Sequence, residues 1–133
     1  MSTYHYEYSL QTQKQHFHNI TSFVEEALQK SGAENGICLV FCPHTTAAVT
    51  LNENADKDVV GDLCFALDQT FPDRKEFRHS EGNSAAHFKS SCIGPSLTLP
   101  FIGGKLKLGV WQAVYFCEFD GPRKRSVFVT IVT

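Results

Sequence analysis

LTLPFIGGKLKLGVWQAVYFCEFDGPRKRSVFVTI, residues 97–131, decides the fold class. Leu97, Leu99 and Phe101 alternate with Thr98 and Pro100, the period of a strand with one buried face. Gly103-Gly104 predicts a hairpin turn, and Leu106 and Leu108 lead into a longer strand over Trp111–Phe119. Asp120-Gly121-Pro122 turns the chain, and Val127, Val129 and Ile131 close it. About four strands joined by short turns make the last third of the chain an antiparallel system.

Upstream, Tyr4, Tyr6 and Tyr8 alternate with His5 and Glu7 and read as an opening strand. Ser22 and Glu25 have capping-box spacing, Ile20, Val24, Ala27 and Leu28 share a helical face, and Gly32 supplies the stop. Ile37 to Cys42 is a continuous apolar run, expected to be covered on both faces. Pro43 ends it, and Ala47–Asn52 reads as another short strand. A helix opens at Asp56 and Asp58, buries Val60, Leu63, Leu67 and Phe71, and stops at Pro72. Residues 72–82 read as a polar loop, and Asn83 or Ser84 as the cap of a short helix reaching about Ser91. The expected architecture is α+β, a mixed and mostly antiparallel β-sheet with helices packed on one side, in one compact domain over residues 1–133.

Bulk properties narrow the function. A chain of 133 residues can bury a real core, and a formal charge of -2 argues against nucleic acid as partner; the Arg123-Lys124-Arg125 cluster is too short to change that. No apolar run is long enough to span a bilayer, and MSTYHYEYSLQTQ lacks the basic-then-apolar pattern of a secretory signal, so no membrane role is expected. Five cysteines without a C-x-x-C pair read as reduced thiols of a cytoplasmic protein.

The chemistry-bearing stretches are HTTAAVTLNEN, residues 44–54, and HSEGNSAAH, residues 79–87. Three imidazoles, His44, His79 and His87, could hold a zinc ion and leave one position open, the arrangement of a catalytic metal site. Thr45 and Thr46 offer hydroxyls to an anion or a water, and Glu53 or Glu81 a carboxylate for proton transfer. A polar turn and a solvated loop would give the same residues. Lys89 with Ser90 and Ser91 suits a phosphate, as does Arg123, although Arg123 can instead pair with Glu118 or Asp120. Gln112 and Glu118 share a face with Val114 and Phe116, where buried polar groups need partners; this marks a polar site or a subunit interface. His5, His16 and His18 read as structural. The H-x-E spelling lacks the later P-C-x-x-C of zinc nucleobase deaminases, and no phosphate-binding glycine loop or nucleophile elbow is present.

Taken together, HTTAAVTLNENAD, the Asp62-Leu63 pair, H-x-EGN, the AAH-x-K-x-S run, GPSLTLP and GKLKLGVWQAVYFCEFDGPR resemble the YjbQ family, also known as UPF0047, in order and spacing over nearly the whole chain. Lys57 and Val110 are slight departures, standing where proline and threonine are common. The resemblance implies a compact α+β domain with a mixed sheet, assembled as a homotrimer. It implies a weak, secondary thiamine-phosphate synthase activity, joining hydroxymethylpyrimidine diphosphate to a thiazole phosphate and releasing pyrophosphate. It puts the family histidines on His44, His79 and His87, carboxylates on Glu53 and Glu118, and a divalent metal at the histidines.

Imidazoles favour zinc or a similar transition metal, whereas magnesium, the alternative, prefers oxygen ligands. A histidine set therefore fits a Lewis-acid site better than a magnesium–pyrophosphate mechanism, which marks thiamine-phosphate synthesis as a candidate side activity. The expected protein is an enzyme acting on a small phosphorylated substrate. Its competitors are a metal-dependent hydrolase and a non-catalytic trimeric protein that binds metal or anions.

Overall fold

The computed structural model describes residues 1–133. The elements are β1 (Thr3–Gln11), β2 (His16–Asn19), α1 (Thr21–Ser31), β3 (Asn35–Phe41), β4 (Ala47–Glu53), α2 (Lys57–Thr70), α3 (Ser84–Ile93), β5 (Ser96–Ile102), β6 (Lys105–Leu106), β7 (Gln112–Glu118) and β8 (Lys124–Val132). The strands form two sheets, a five-stranded one in the order β1-β8-β3-β5-β6 and a three-stranded one in the order β2-β7-β4. Every pair is antiparallel. The α+β class therefore stands, with the strands divided between two sheets.

The division follows from the faces of the strands. Cys38, Val40, Leu99, Phe101, Val127, Val129 and Ile131 point inward from the larger sheet and meet Val24, Ala27 and Leu28 of α1 and Val49, Val114 and Phe116 of the smaller sheet. The other face of the smaller sheet, with Phe17, Ala48, Ala113, Tyr115 and Cys117, packs on Val60 of α2 and Ala86 of α3. β7 is buried on both faces because it sits between two cores, which is why its sequence is apolar almost throughout.

Several local expectations change. β3 is covered on one face only: Cys38 and Val40 are sealed, while Ile37 and Phe41 keep 43% and 39% of their surface exposed. An unbroken apolar run is the same in a doubly covered strand and in one whose outer face awaits a partner. The Ser22–Glu25 capping box does not form; α1 begins at Thr21, whose N–H donates to Asn19 Oδ1 at 3.0 Å. His16–Asn19, not expected as an element, is strand β2 paired with β7. Asn83 occupies the N-cap position of α3 without a side-chain cap bond, because its Nδ2 donates to Asp120 Oδ2 at 2.8 Å. Gly103 and Gly104 have φ of 61° and 74°, as a tight hairpin turn requires.

At Gly36 the backbone of β3 lies close against the end of β8. Its φ is +153°, and a Cβ there would lie 2.0 Å from the Val132 carbonyl oxygen. Gly36→Ala is expected to cost about 3 kcal/mol through backbone strain and steric overlap. Urea unfolding measures this, and a loss within about 0.5 kcal/mol, the range of ordinary surface substitutions, would contradict the assigned register.

Candidate active site

β3 stops at Phe41 while β8 continues toward Arg125, so beyond the Phe41–Phe128 pair β8 keeps β1 on one side and has no strand on the other. His44 fills that gap. Its Nε2 lies 3.0 Å from the Ser126 nitrogen and 3.1 Å from the Ser126 oxygen. One nitrogen serves one of these at a time. When Nε2–H donates to the carbonyl, Nδ1 presents a bare lone pair, the tautomer a metal ligand needs. Burial, helped by the charge of Arg125, lowers the His44 pKa and keeps the ring neutral near pH 7. Thr45 is exposed, and Thr46 is buried beneath it.

Below this turn lies a sealed ion pair. Glu118 is 0% exposed and Arg125 4%. Arg125 Nε donates to Glu118 Oε1 at 2.7 Å and Nη2 donates to Oε2 at 2.5 Å. Nη2 also donates to Thr46 Oγ1 at 2.8 Å. Thr12 Oγ1 donates to Glu118 Oε1 at 2.6 Å, and the Asp120 N–H to Oε2 at 3.0 Å. Burial pushes the Glu118 pKa up, but hydrogen bonds from Arg125, Thr12 and Asp120 outweigh it, and the net shift is downward. Glu118 was expected among the catalytic carboxylates. Its oxygens are instead enclosed and fully engaged, which makes it a scaffold residue that fixes Arg125. Arg125 was missed, although strand parity carried the signal: it shares the inward register of Val127, Val129 and Ile131, as Glu118 shares that of Val114 and Phe116.

The other two histidines stand apart from this group. His79 lies in the exposed loop before α3, its carbonyl accepting from the Gly82 N–H at 3.1 Å, and His87 lies on α3. Their ring centroids are 5.4 Å apart at 79°. Two imidazoles sharing a tetrahedral zinc, with Zn–N about 2.0–2.1 Å, place their centroids about 5 Å apart. The centroid spacing is close to that of two imidazoles on one transition-metal ion, and imidazole donors do not suit magnesium. Within one chain the set is incomplete: no three His, Cys, Asp or Glu side chains stand at metal-holding distances. His44 does not join His79 and His87 in a single subunit. Glu81 is exposed in the same loop as His79.

The remaining expected residues are dispersed. Lys89 Nζ is held by Asp68 Oδ1 at 2.5 Å and Gln15 Oε1 at 2.8 Å, and it lines a cleft of about 530 Å³ with Lys14, Asp73, Asn83 and Asp120. Three aspartates against two lysines make that cleft a poor seat for a phosphate on its own. Ser91 Oγ donates to the His87 carbonyl at 3.0 Å, a bond within its own helix. Arg123 pairs with Asp120 at 3.0 Å rather than standing free. Gln112 is exposed, its Oε1 accepting from the Gly109 N–H at 2.8 Å. Glu53 faces Gln112 at one end of the β4–β7 pair and Glu118 faces Ala47 at the other, so the two glutamates lie about 20 Å apart.

The buried pair and the histidine give two solution signatures. Glu118→Gln leaves the Arg125 charge without its partner and is expected to cost about 3–5 kcal/mol at pH 7. The depressed folded-state pKa means that this stabilisation is present above the unfolded value of about 4.3 and fades as pH falls below it. The deficit of the variant, measured by urea unfolding, should therefore shrink in acid; a deficit that stays constant down to pH about 2 would contradict the pair's role. For His44 the NMR titration midpoint is expected below about 6.5, with folding stability declining as pH drops through that window. A midpoint at or above the free-histidine value would contradict the burial of the ring.

Comparison with known proteins agrees with the fold. The family model described as UPF0047 protein YjbQ-like matches residues 6–133. UPF0047 protein YugU of Bacillus subtilis is 47% identical over 122 residues, covering 91% of this chain and 92% of that protein. A solved YjbQ/UPF0047 structure from Clostridium acetobutylicum superposes with a TM-score of 0.93 at 52% identity, covering 96% of this chain and 99% of that one. A YbjQ-like protein of unknown function from Sulfolobus solfataricus gives 0.92 at 30% identity, with 98% and 96% covered. The chain belongs to the UPF0047 YjbQ-like family.

Proposed function

We propose that this protein is a metal-assisted enzyme acting on a small phosphorylated substrate, with its active site shared between neighbouring subunits of a homotrimer. The observation that carries the reading is the one-plus-two division of the imidazoles: His44 on the β3–β4 turn, and His79 of the loop before α3 beside His87 of α3. Neither half is a metal site alone, and the two halves of different copies make a three-imidazole set. The uncovered outer face of the larger sheet supports assembly. It carries Ile37, Phe41, Ile102 and Phe128, each at least 38% exposed, and Phe41 and Phe128 stack beside the His44 turn with centroids 6.3 Å apart.

In this reading the zinc ion, when bound, supplies Lewis-acid stabilisation of charge developing on a phosphoryl oxygen. In the tautomer whose Nε2–H donates to the Ser126 carbonyl, His44 would offer Nδ1 as a ligand, His79 and His87 would supply the other two imidazoles, and Glu81 stands in the His79 loop as an exposed carboxylate for proton transfer. The reaction that the family resemblance implies, thiamine-phosphate formation with pyrophosphate release, is assigned as a side activity. Hydrolysis of a small phosphorylated compound is the second reading, favoured because Lys89 and Arg123 are already paired with carboxylates and leave fewer free cations for a leaving diphosphate. No helix is long and apolar enough to cross a membrane. The five cysteines are free thiols, which suits the reducing cytoplasm.

Complementation tests the shared site. His44→Ala and His87→Ala are each expected to be inactive as pure trimers, and a one-to-one mixture assembled together should regain roughly a quarter of the intact sites. Absence of any recovery in mixed trimers would place all the histidines' work within one chain. Chelation is expected to abolish turnover, and zinc to restore it. A zinc-loaded wild-type trimer that turns over neither the two thiamine precursors nor any phosphorylated compound in a hydrolysis screen would make the protein a binder.

A further inference from the structure

We infer that Arg125, with the hydroxyl of the adjoining Thr45, forms a preorganised binding site for a phosphoryl oxyanion. The inference comes from accounting for every guanidinium donor. Arginine carries five N–H groups. Nε is taken by Glu118, and both hydrogens of Nη2 by Glu118 and Thr46. Nη1 makes no hydrogen bond within the chain, yet it is not among the sealed unpartnered atoms, which are Tyr8 Oη and Asn83 Oδ1 alone. The side chain is thus 96% enclosed by its own neighbours, taking its 4% exposure from the whole, and the Nη1 end, with two diverging N–H donors, is its one open edge.

That edge suits a tetrahedral oxyanion. Glu118, Thr46 and the strand beneath hold the guanidinium plane fixed, so the ordering cost of binding is met before a ligand arrives. Partial removal from water strengthens charge-assisted bonds to oxygen, and Nη1 offers a phosphoryl oxygen a charged donor that nothing in the chain occupies. Thr45 follows His44 and precedes the Thr46 that contacts the guanidinium, and its exposed hydroxyl makes no bond within the chain. The carboxylate of Glu118 lies on the opposite, Nε–Nη2 edge, where it does not meet the anion. Lys89 and Arg123, the cations suggested by sequence, have carboxylate partners on their donating atoms. This assignment deepens the phosphorylated-substrate reading and rests on it only for the ligand's identity; the open donor edge stands on its own.

The test uses the full-length, metal-free protein with inorganic pyrophosphate as probe. Titration followed by calorimetry and by the arginine side-chain NMR signals should show saturable binding, with the Arg125 Nε–H resonance shifting. Arg125→Lys retains the charge facing Glu118 but loses the open edge, and binding should weaken at least about tenfold. Thr45→Ala, a change at an exposed position that leaves the ion pair untouched, should weaken binding about threefold and covers the case in which Arg125→Lys fails to fold. Arg123→Gln should stay within about twofold of wild type. No binding by wild type up to about 10 mM, an unmoved Arg125 signal at saturation, or a loss that follows Arg123→Gln instead of Arg125→Lys would overturn the inference. Pyrophosphate held by Arg125 in a protein without turnover keeps the anion site and removes the enzyme reading; turnover unaffected by Arg125→Lys keeps the enzyme and removes the anion site.

Discussion

The Arg125–Glu118 pair is the constraint on which the rest of the site depends. It joins four separate pieces of chain: the end of β7, the start of β8, the β3–β4 turn through Thr46, and the β1–β2 connection through Thr12. A buried ion pair contributes little net stability against a well-packed apolar alternative, but removing one partner leaves an uncompensated charge in the core. Its value here is geometric. It locks the two sheets in one relative register at the point where β3 ends, and so decides where His44 must turn.

From that point the division of the chemistry follows. β4 leaves the Arg125 pair carrying its apolar residues into both cores, and Glu53 emerges about 20 Å away at its far end. α3 packs across the opposite face of the smaller sheet, through Ala86, and carries His87 with it. Within one chain His44, His79 and His87 therefore do not come together as a metal-holding group. The chain does leave the outer face of the larger sheet apolar and uncovered on the His44 side. In the proposed function, assembly of several copies covers that face and completes the histidine set together.

Much of the fold was legible because period and punctuation agreed. The alternation in β5 and β8, the Gly32 stop of α1 and the acidic start of α2 each rest on one local physical cause. β2 was not legible, since four residues beside a helix start are too few to show a period. The outer face of β3 was not legible either, because apolar residues look alike whether a layer or another subunit covers them. In the site, the chemistry-bearing residue types stood out at once, but their convergence is a tertiary fact. Arg125 was readable by parity against Val127, Val129 and Ile131. It escaped because a basic triplet on a surface turn reads first as three solvated charges, whereas only Lys124 and Arg123 are exposed.

The shared site is tested most directly by locating zinc in crystals of the assembled protein, from anomalous scattering at the zinc edge. The account predicts one strong peak per subunit, bonded by His79 and His87 of one copy and by His44 of its neighbour, at Zn–N distances of about 2.0–2.1 Å. Zinc bound without any of these imidazoles, or an assembly that keeps His44 of every copy far from every His79–His87 pair, would contradict it.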